Sequence, residues 1–597
     1  MRLMRGFGPK NRNLPGISPG KEVPKTFFGL RWPRLPDNLG FNLLMVGVLS
    51  AVVFFLAHLK AWSSPYVIND DVRQQIFWMQ QWLDPQLFRG DLLAKYARHY
   101  VPWGVQGLYW LATWVTDPIS FSKFLPGLLF IFLALCLYRL GLKIGSRTLA
   151  WTMVAVYWLM PLFLDRMAGG LARAFATPLL AFFWLCWQEE RPWGMGAALL
   201  LQALFIPYIF ITSAVAVALS WLAGRWGSLR PPPFPAHWPH ALLLAAGAAL
   251  VALMDYRFAA SGFGPLVSYA EMVNRPEFYA GGRYAILPLP SIFWELISPW
   301  EWIAPFRDLG LLGGIAGCVV LGAATLWGLS RVPFRALTPR LQPLGYLLLA
   351  GLVVYFMARI FLLKLFIPDR YLIYILNLAY CLILALSLHA LLQVEQWPRT
   401  LGVLVLAVAA GLGVWRLWNV GLKDYAVYQP VYAALAATPK DAIIAGHPNL
   451  MDNVPTFARR RALVTYKLAH PWSKGFWQEI EPRLEDLFAA YYAADPREVI
   501  AFCRKYRVSF LVVDDRHFTP KFLAGGRFFV PLERRVPKFF GKTLDDRVDC
   551  PFFAPFDAEI RRLTNGRHEF ALLSSSLFPA VVLDKHLRLL DMRSFLN

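Results

Sequence analysis

A polytopic α-helical membrane protein with about eleven transmembrane helices and a C-terminal extracytoplasmic α/β domain is the fold class that three features of the sequence predict. Only 16% of the 597 residues are charged and 57% are hydrophobic, whereas an ordinary soluble domain carries about 25% charged residues. The apolar residues gather in runs of about 20, the length of helix that crosses a hydrocarbon core. Beyond residue 421 the runs stop and the chain turns polar. These features exclude an ordinary soluble enzyme, a disordered chain and a nucleic-acid binder.

The first 40 residues hold Arg2, Arg5, Lys10, Arg12, Lys21, Lys25, Arg31 and Arg34 among prolines and glycines. Within a net charge of +22, such a basic tail sets orientation by the positive-inside rule and reads as cytoplasmic. The first apolar run is expected to be retained as a membrane helix, since no signal-type cleavage site follows it.

Spans are expected near residues 41–59, 121–140, 150–164, 171–187, 241–258, 309–329, 346–367, 371–392 and 401–418. The apolar stretch 195–223 is long for one span and short for two. Pro207 in its middle predicts a broken or hairpin helix, because proline removes a backbone donor. With the tail inside, the loop 61–120, the turn at Asp165 and Arg166, the loop 258–308, the turn 368–370 and the C-terminal region fall outside. The basic turns at Lys143, Arg147, Glu189–Arg191 and Arg340 fall inside, as the charge rule requires. Residues 101–115 are apolar enough for a short span. Their Trp103, Tyr109, Trp110 and Trp114 favour the outer interface instead.

The domains predicted are therefore a cytoplasmic tail over 1–40, a membrane domain over 41–421 with outer loops 61–120 and 258–308, and a periplasmic α/β domain over 422–597. In the last, 442–445, 462–465 and 508–513 read as strands and 498–506 as a helix starting at Asp495-Pro496. Cys136, Cys186, Cys318 and Cys381 lie in apolar runs as packing residues, whereas Cys503 and Cys550 could pair.

Three clusters could carry chemistry. Asp70–Asp71 opens the first outer loop, followed by Arg73, Arg98 and His99. Adjacent carboxylates beside a bilayer are costly unless hydrated, paired or used. They suit a general base, or the ligands of Mg²⁺ or Mn²⁺; the alternative is a helix N-cap by Asn69 or Asp70 before 72–83. Asp165-Arg166 with Gly169-Gly170 and Arg173 adds a carboxylate and cations at a tight turn. A structural Asp–Arg pair closing a hairpin is the competing reading. Arg359, Lys364, Arg370 and Tyr371 place cations in or beside an apolar run, where a buried anion would satisfy them and snorkelling is the alternative. Arg283, after Gly281-Gly282, is a weaker candidate of the same kind. His447 and Arg459–Arg461 lie at strand ends, and there a solvated charge cluster is the expectation.

The basic tail, single span and acidic pair opening a long outer loop resemble the GT-C superfamily of integral membrane glycosyltransferases. That superfamily includes protein O-mannosyltransferases, aminoarabinose transferases and oligosaccharyltransferase catalytic subunits. Asp70–Asp71 matches the acidic motif of its first outer loop. The stretch Pro102-Trp103 to Leu108-Tyr109-Trp110-Leu111, then Phe124-Leu125-Pro126, is similar to the mannosyltransferase-like branch, as is Arg370-Tyr371. The oligosaccharyltransferase Trp-Trp-Asp signature is missing, which argues against that activity.

The resemblance implies a sugar donor on a polyprenyl phosphate and an acceptor (glycan, lipid or protein) reached from the extracytoplasmic face of a bacterial inner membrane. The catalytic candidates are Asp70, Asp71 and Asp165. Arg370, Lys364, Arg359, Arg173 and Tyr371 are the donor-phosphate candidates, and Arg73, Arg98, His99 and Arg283 the other outer-loop ones. Asp70 and Asp71 are candidate metal ligands. The competing functions are a transporter or flippase of an anionic envelope precursor, and a non-catalytic subunit of a polysaccharide assembly machine. A lipid-carrier ligase or polymerase fits less well, because its large loop falls between late spans.

Overall fold

In a computed structural model the described residues are 26–27, 30–31, 38–225, 238–279, 282–297, 310–393, 411, 415–519, 522, 570–574 and 577–596. The first long helix, α1 (Leu39–Ala57), starts where Asn38 accepts the Gly40 and Phe41 backbone N–H groups through its side chain. Its outer face leaves Leu44, Val48, Val52 and Phe55 exposed, the pattern of a helix whose solvent is lipid. Helix α2 (Leu92–Tyr100) and helix α3 (Trp103–Ala112) follow in the loop. At 10 residues α3 is about 15 Å long, half of what a hydrocarbon core needs. It buries Val105 and Tyr109 and leaves Trp110 and Trp114 exposed. It is too short to span, in keeping with the interfacial reading.

The remaining long helices are α4 (Pro118–Ile144), α5 (Arg147–Trp158) with α6 (Pro161–Met167), α7 (Ala176–Gln188), α8 (Pro192–Phe205), α9 (Pro207–Arg225), α10 (Trp238–Ala260), α11 (Gly310–Leu329), α12 (Phe334–Ile360) and α13 (Ile373–Gln393). Six described helices are long and apolar enough to cross a membrane, or seven if α5 and α6, bent by 63°, count as one. The difference from about eleven has physical causes. Proline interrupts two of the expected runs: Pro161 restarts the chain as α6 within 150–164, and Pro207 opens α9 within 195–223, with only Ile206 between it and the end of α8. The run 171–187 spends its first residues in a 3-10 turn (Ala172–Phe175), leaving only 13 residues for α7. The expected span 401–418 falls largely outside the described residues.

The ends of α4 separate the expected inner and outer turns. At its start Lys123 donates to the carbonyls of Ala61 and Ser64 in the segment that follows α1. Its far end lies about 40 Å away at 1.5 Å per residue. There Arg340 donates to the Ile144 carbonyl, and Arg139 pairs with Glu189 at 2.6 Å.

The chain after residue 421 returns to the segment that follows α1. Strand β1 (Val67–Ile68) pairs antiparallel with β2 (Lys423–Asp424). Beyond it lies a five-stranded sheet of β3 (Ile443–Gly446), β4 (Arg461–Ala462), β5 (Phe510–Asp514), β6 (Ala580–Val582) and β7 (Leu587–Asp591), in the order β4-β3-β5-β7-β6. β3 runs parallel to β4 and β5, whereas β7 is antiparallel to both its neighbours. β5 is buried along its whole length, which explains its unbroken apolar sequence. Asp495 caps helix α15 (Pro496–Tyr506), and helix α14 (Lys474–Tyr491) precedes it, packing against α15. Helix α14, β6 and β7 have no counterpart among the elements expected from the sequence. Cys503 is buried and Cys550 lies outside the described residues.

The junction is close-packed at Gly421, whose φ is +71°. A Cβ there would stand 2.6 Å from the Ala168 methyl and 3.0 Å from Asp165 Oδ1. Gly421→Ala is expected to destabilise the detergent-solubilised protein by roughly 1–3 kcal/mol, from overpacking and left-handed backbone strain together. Thermal unfolding checks this.

Candidate functional site

The site is built on Asn69-Asp70-Asp71 at the mouth of the membrane helices. Asn69 is buried; its amide donates to the Gly421 carbonyl at 2.7 Å and its Oδ1 accepts the Asp71 backbone N–H at 3.0 Å. The helix that follows, Val72–Gln75, has no capping bond from the Asp71 side chain. The N-cap alternative is met in part by Asn69, whose Oδ1 takes the Asp71 N–H just before this helix, while the carboxylates of Asp70 and Asp71 point into ion pairs.

Asp70 pairs with Arg73, accepts from the Tyr425 hydroxyl at 2.6 Å and meets the Lys467 ammonium at 2.5 Å and that of Lys423 at 3.4 Å. Asp71 pairs with Arg173 and meets Lys467 at 3.2 Å. Lys467 thus bridges the two carboxylates. Burial alone would raise both acids. For Asp70, Arg73 and Lys467 outweigh it and hold the acid well below the ordinary carboxylate range; for Asp71, Arg173 and Lys467 outweigh it and the acid is lowered. Their contribution to stability is present above that range and is lost as pH falls through the depressed values.

Each cation is placed by local structure. Gly169 and Gly170 have φ of +87° and +60°, and both carbonyls accept from the buried Tyr109 hydroxyl. A Cβ on Gly169 would stand 2.8 Å from Asn69 Cβ. Only glycine lets this turn close on the acidic segment, and it delivers Arg173 to Asp71. Lys467 comes from the loop after β4. Its backbone N–H is taken by Asp452 Oδ1 at 2.8 Å, and its carbonyl by Arg283 at 2.7 Å. Arg283 also donates to the Tyr466 carbonyl at 2.7 Å. Arg73 is buried, donates to Asn453 at 2.7 Å and lies over the Tyr425 ring. Burial outweighs the nearby Arg73 and the Lys467 amide at Asp452, which is pushed up to about 6.

A cavity of about 1170 Å³ opens beside this cluster. Seven cations line it: Arg98, Arg173, Arg257, Arg283, Lys364, Arg370 and Lys467. Only two carboxylates do, Asp71 and Asp255. Apolar side chains line it as well, Phe210 and Ile211 of α9 and Ala248, Val251 and Ala252 of α10, the helix that also carries Asp255 and Arg257. Arg370 Nη1 is buried and has no hydrogen-bond partner among the described residues.

The structure sorts the sequence candidates by this cavity. Asp71, Arg173, Arg98, His99, Arg283, Lys364, Arg370 and Tyr371 line it. Asp70 and Arg73 stand behind it, locked on one another. Asp165 is placed off the cavity by the α6 turn, against Gly421. Arg359 is turned away, donating to the Pro290 carbonyl at 2.6 Å and the Tyr355 hydroxyl at 2.8 Å. The Tyr371 hydroxyl is engaged by the Leu365 carbonyl, so it braces the turn carrying Lys364. Arg98 lies over the Trp78 ring and His99 Nδ1 is 2.8 Å from the Lys95 carbonyl. His447 is buried against Phe488 and His517. Arg460 is buried too, donating to the Ala436 and Thr438 carbonyls, whereas Arg459 is exposed and Arg461 half-buried, so the expected solvated cluster holds for part of its residues.

Lys467, Tyr425, Asp452, Arg257 and His470 were not legible as site residues. Lys467 follows the carboxyl end of a parallel strand, where sites form in open sheets. The arginines singled out in the sequence, Arg459–Arg461, stand at the other, amino end of β4. Asp70 and Asp71 do not fit a divalent metal. An ammonium already bridges them, two guanidiniums take further oxygens, and no group of three metal-ligating side chains occurs among the described residues.

Arg73→Ala would leave Asp70 half-buried with a cation fewer. A loss of about 3–5 kcal/mol is expected in thermal or denaturant unfolding, as for other broken buried pairs.

No family model and no curated protein matches the chain. Among solved structures it is similar to the oligosaccharyltransferase of Archaeoglobus fulgidus tethered with an acceptor peptide containing the NVT sequon, at 14% identity, 81% of this chain, 70% of that chain and a TM-score of 0.47. It is also similar to the archaeal oligosaccharyltransferase AglB of the same organism in complex with an inhibitory peptide and a dolichol-phosphate, at 12% identity, 83% of this chain, 72% of that chain and a TM-score of 0.48.

Proposed function

We propose that the chain is a membrane glycosyltransferase of GT-C type, moving a sugar from a polyprenyl-phosphate donor to an acceptor on the extracytoplasmic face. The observation that carries this reading is the mixed lining of the cavity. Apolar side chains of α9 and α10 share it with seven cations, Arg257 of α10 among them, and with Asp71 of the acidic pair. A ligand that matches both kinds of lining has a hydrocarbon tail and an anionic head.

In this reading the donor tail lies along α9 and α10, and its phosphate meets Arg370 and Lys364. Arg370 has a buried donor to offer, and a planar guanidinium suits phosphate oxygens. Asp71, the one catalytic candidate that lines the cavity, takes the proton of the acceptor hydroxyl. The acceptor oxygen attacks the anomeric carbon, the bond from that carbon to the phosphate oxygen breaks, and polyprenyl phosphate leaves with its charge held by the cations. Held by Arg173 and Lys467, Asp71 is a weak base. Both cations face the cavity, so an arriving phosphate draws on them and loosens their hold on the carboxylate.

The test uses protein in lipid nanodiscs with a panel of polyprenyl-phosphate sugars, following release of polyprenyl phosphate. Asp71→Asn is expected to lower turnover on the order of 10²–10⁴-fold while donor binding remains. Arg370→Ala should weaken donor binding about tenfold or more, and Arg359→Ala should leave it unchanged. Equal effects at Arg370 and Arg359 would sink the phosphate assignment. A separate check is pH. With Asp71 depressed, the acid limb of kcat/KM should lie below about pH 4. In Arg173→Ala, burial is opposed by one cation fewer, and the limb should move up in pH.

A further inference from the structure

The strongest geometric feature without an assigned role is Lys467. Its ammonium stands 2.5 Å from Asp70 Oδ2 and 3.2 Å from Asp71 Oδ1. That is the place between two adjacent carboxylates and a cationic cavity where a divalent ion would bridge acid to phosphate.

The lysine is held there from several sides. Asp452, which is buried, fixes its backbone N–H, and the half-buried Arg283 fixes its carbonyl. The chain crosses almost 400 residues to bring it to the pair: Lys467 is 396 positions from Asp71. Arg73 and Arg173 take further carboxylate oxygens. With Lys423 on Asp70, two carboxylates therefore face four cationic groups, and a divalent ion would enter against net positive charge.

We propose that Lys467 is a built-in substitute for a divalent metal: a positioning residue that holds Asp71 in register and presents a fixed positive charge to the phosphate of an anionic ligand. The protein's chemistry is then metal-independent, and its site is incomplete without the segment that follows β4. The proposal rests on the reading of the cavity as a phosphate-binding glycosyltransferase site for its second half only. The first half, occupancy of the metal position by an ammonium, stands on the ion-pair geometry.

The experiment measures Mn²⁺ binding by electron paramagnetic resonance on full-length protein in nanodiscs, without donor. Wild type is expected to bind no Mn²⁺ that is sensitive to Asp71→Asn. Lys467→Gln keeps the backbone contacts and removes the charge; it should gain a Mn²⁺ site at least tenfold tighter than any in wild type. That site should vanish in Lys467→Gln with Asp71→Asn. Thermal unfolding checks that each variant is folded, and Lys467→Arg should behave as wild type.

If sugar release is detected, it should resist chelation by EDTA in wild type. It should fall on the order of 10²-fold in Lys467→Gln and recover in part with Mn²⁺. A stoichiometric Mn²⁺ bound by wild type and lost in Asp71→Asn would overturn the proposal. So would a folded Lys467→Gln that gains no Mn²⁺ site. Because Mn²⁺ binding needs no donor, failure of sugar release with the expected Mn²⁺ results would count against the glycosyltransferase reading alone.

Discussion

Two adjacent carboxylates at the membrane boundary are the constraint on which the rest of the structure depends. Asp70 and Asp71 repel each other and are largely withdrawn from water, so they are tolerable only if cations reach them. One cation, Arg73, is local, and the others come from distant parts of the chain: Arg173 arrives on the glycine turn after α6, Lys423 on β2, and Lys467 on the loop after β4. Satisfying one acidic dipeptide thus ties the segment that follows α1, the turn between two apolar helices and the region after residue 421 into one assembly. The pairing of β1 with β2 and the Asn69 amide on the Gly421 carbonyl secure the same junction.

The cavity follows from this junction. Its polar lining exists because the cations gathered for the acidic pair, with Arg283, Lys364 and Arg370 added, outnumber the carboxylates that face it. Its apolar lining exists because α9 and α10 carry the side chains of membrane helices into the same space. Pro207 has a part in both. By ending α8 and starting α9 at the rim, it places a helix start and the membrane-facing side chains of α9 next to Arg173 and Tyr208. A broken helix is permitted at such depth where it lines a cavity rather than lipid.

The loop 258–297 completes the enclosure from above. Val267 donates to the Trp472 carbonyl, Lys474 to that of Pro265 and Phe476 to that of Phe263. Lys474 pairs with Glu271 at 2.5 Å. A small apolar cluster of Val267, Met272, Phe278 and Leu287 packs with Leu362 and Leu363 of the turn before Arg370. The loop therefore couples the carrier of Lys467 to the carrier of Arg370, and the two cations keep a fixed relation across the cavity.

Composition and periodicity determined the membrane character, the break at Pro207 and an apolar strand over 508–513, found at Phe510–Asp514. These properties depend on local hydrophobicity, on proline's missing donor and on length, all of which can be read along a chain. The prominence of Asp70–Asp71 and Arg370 was legible too, because charge beside apolar runs is conspicuous. Tertiary structure alone decided which candidates share a space. Asp165 and Arg359 have the same local look as Asp71 and Arg370, yet close packing at Gly421 and a hydrogen bond to the Pro290 carbonyl take them elsewhere. Lys467 shows the opposite case: an ordinary lysine in an ordinary loop. Its importance arises from electrostatics acting over a few ångströms between residues hundreds of positions apart, and such proximity is a property of the fold.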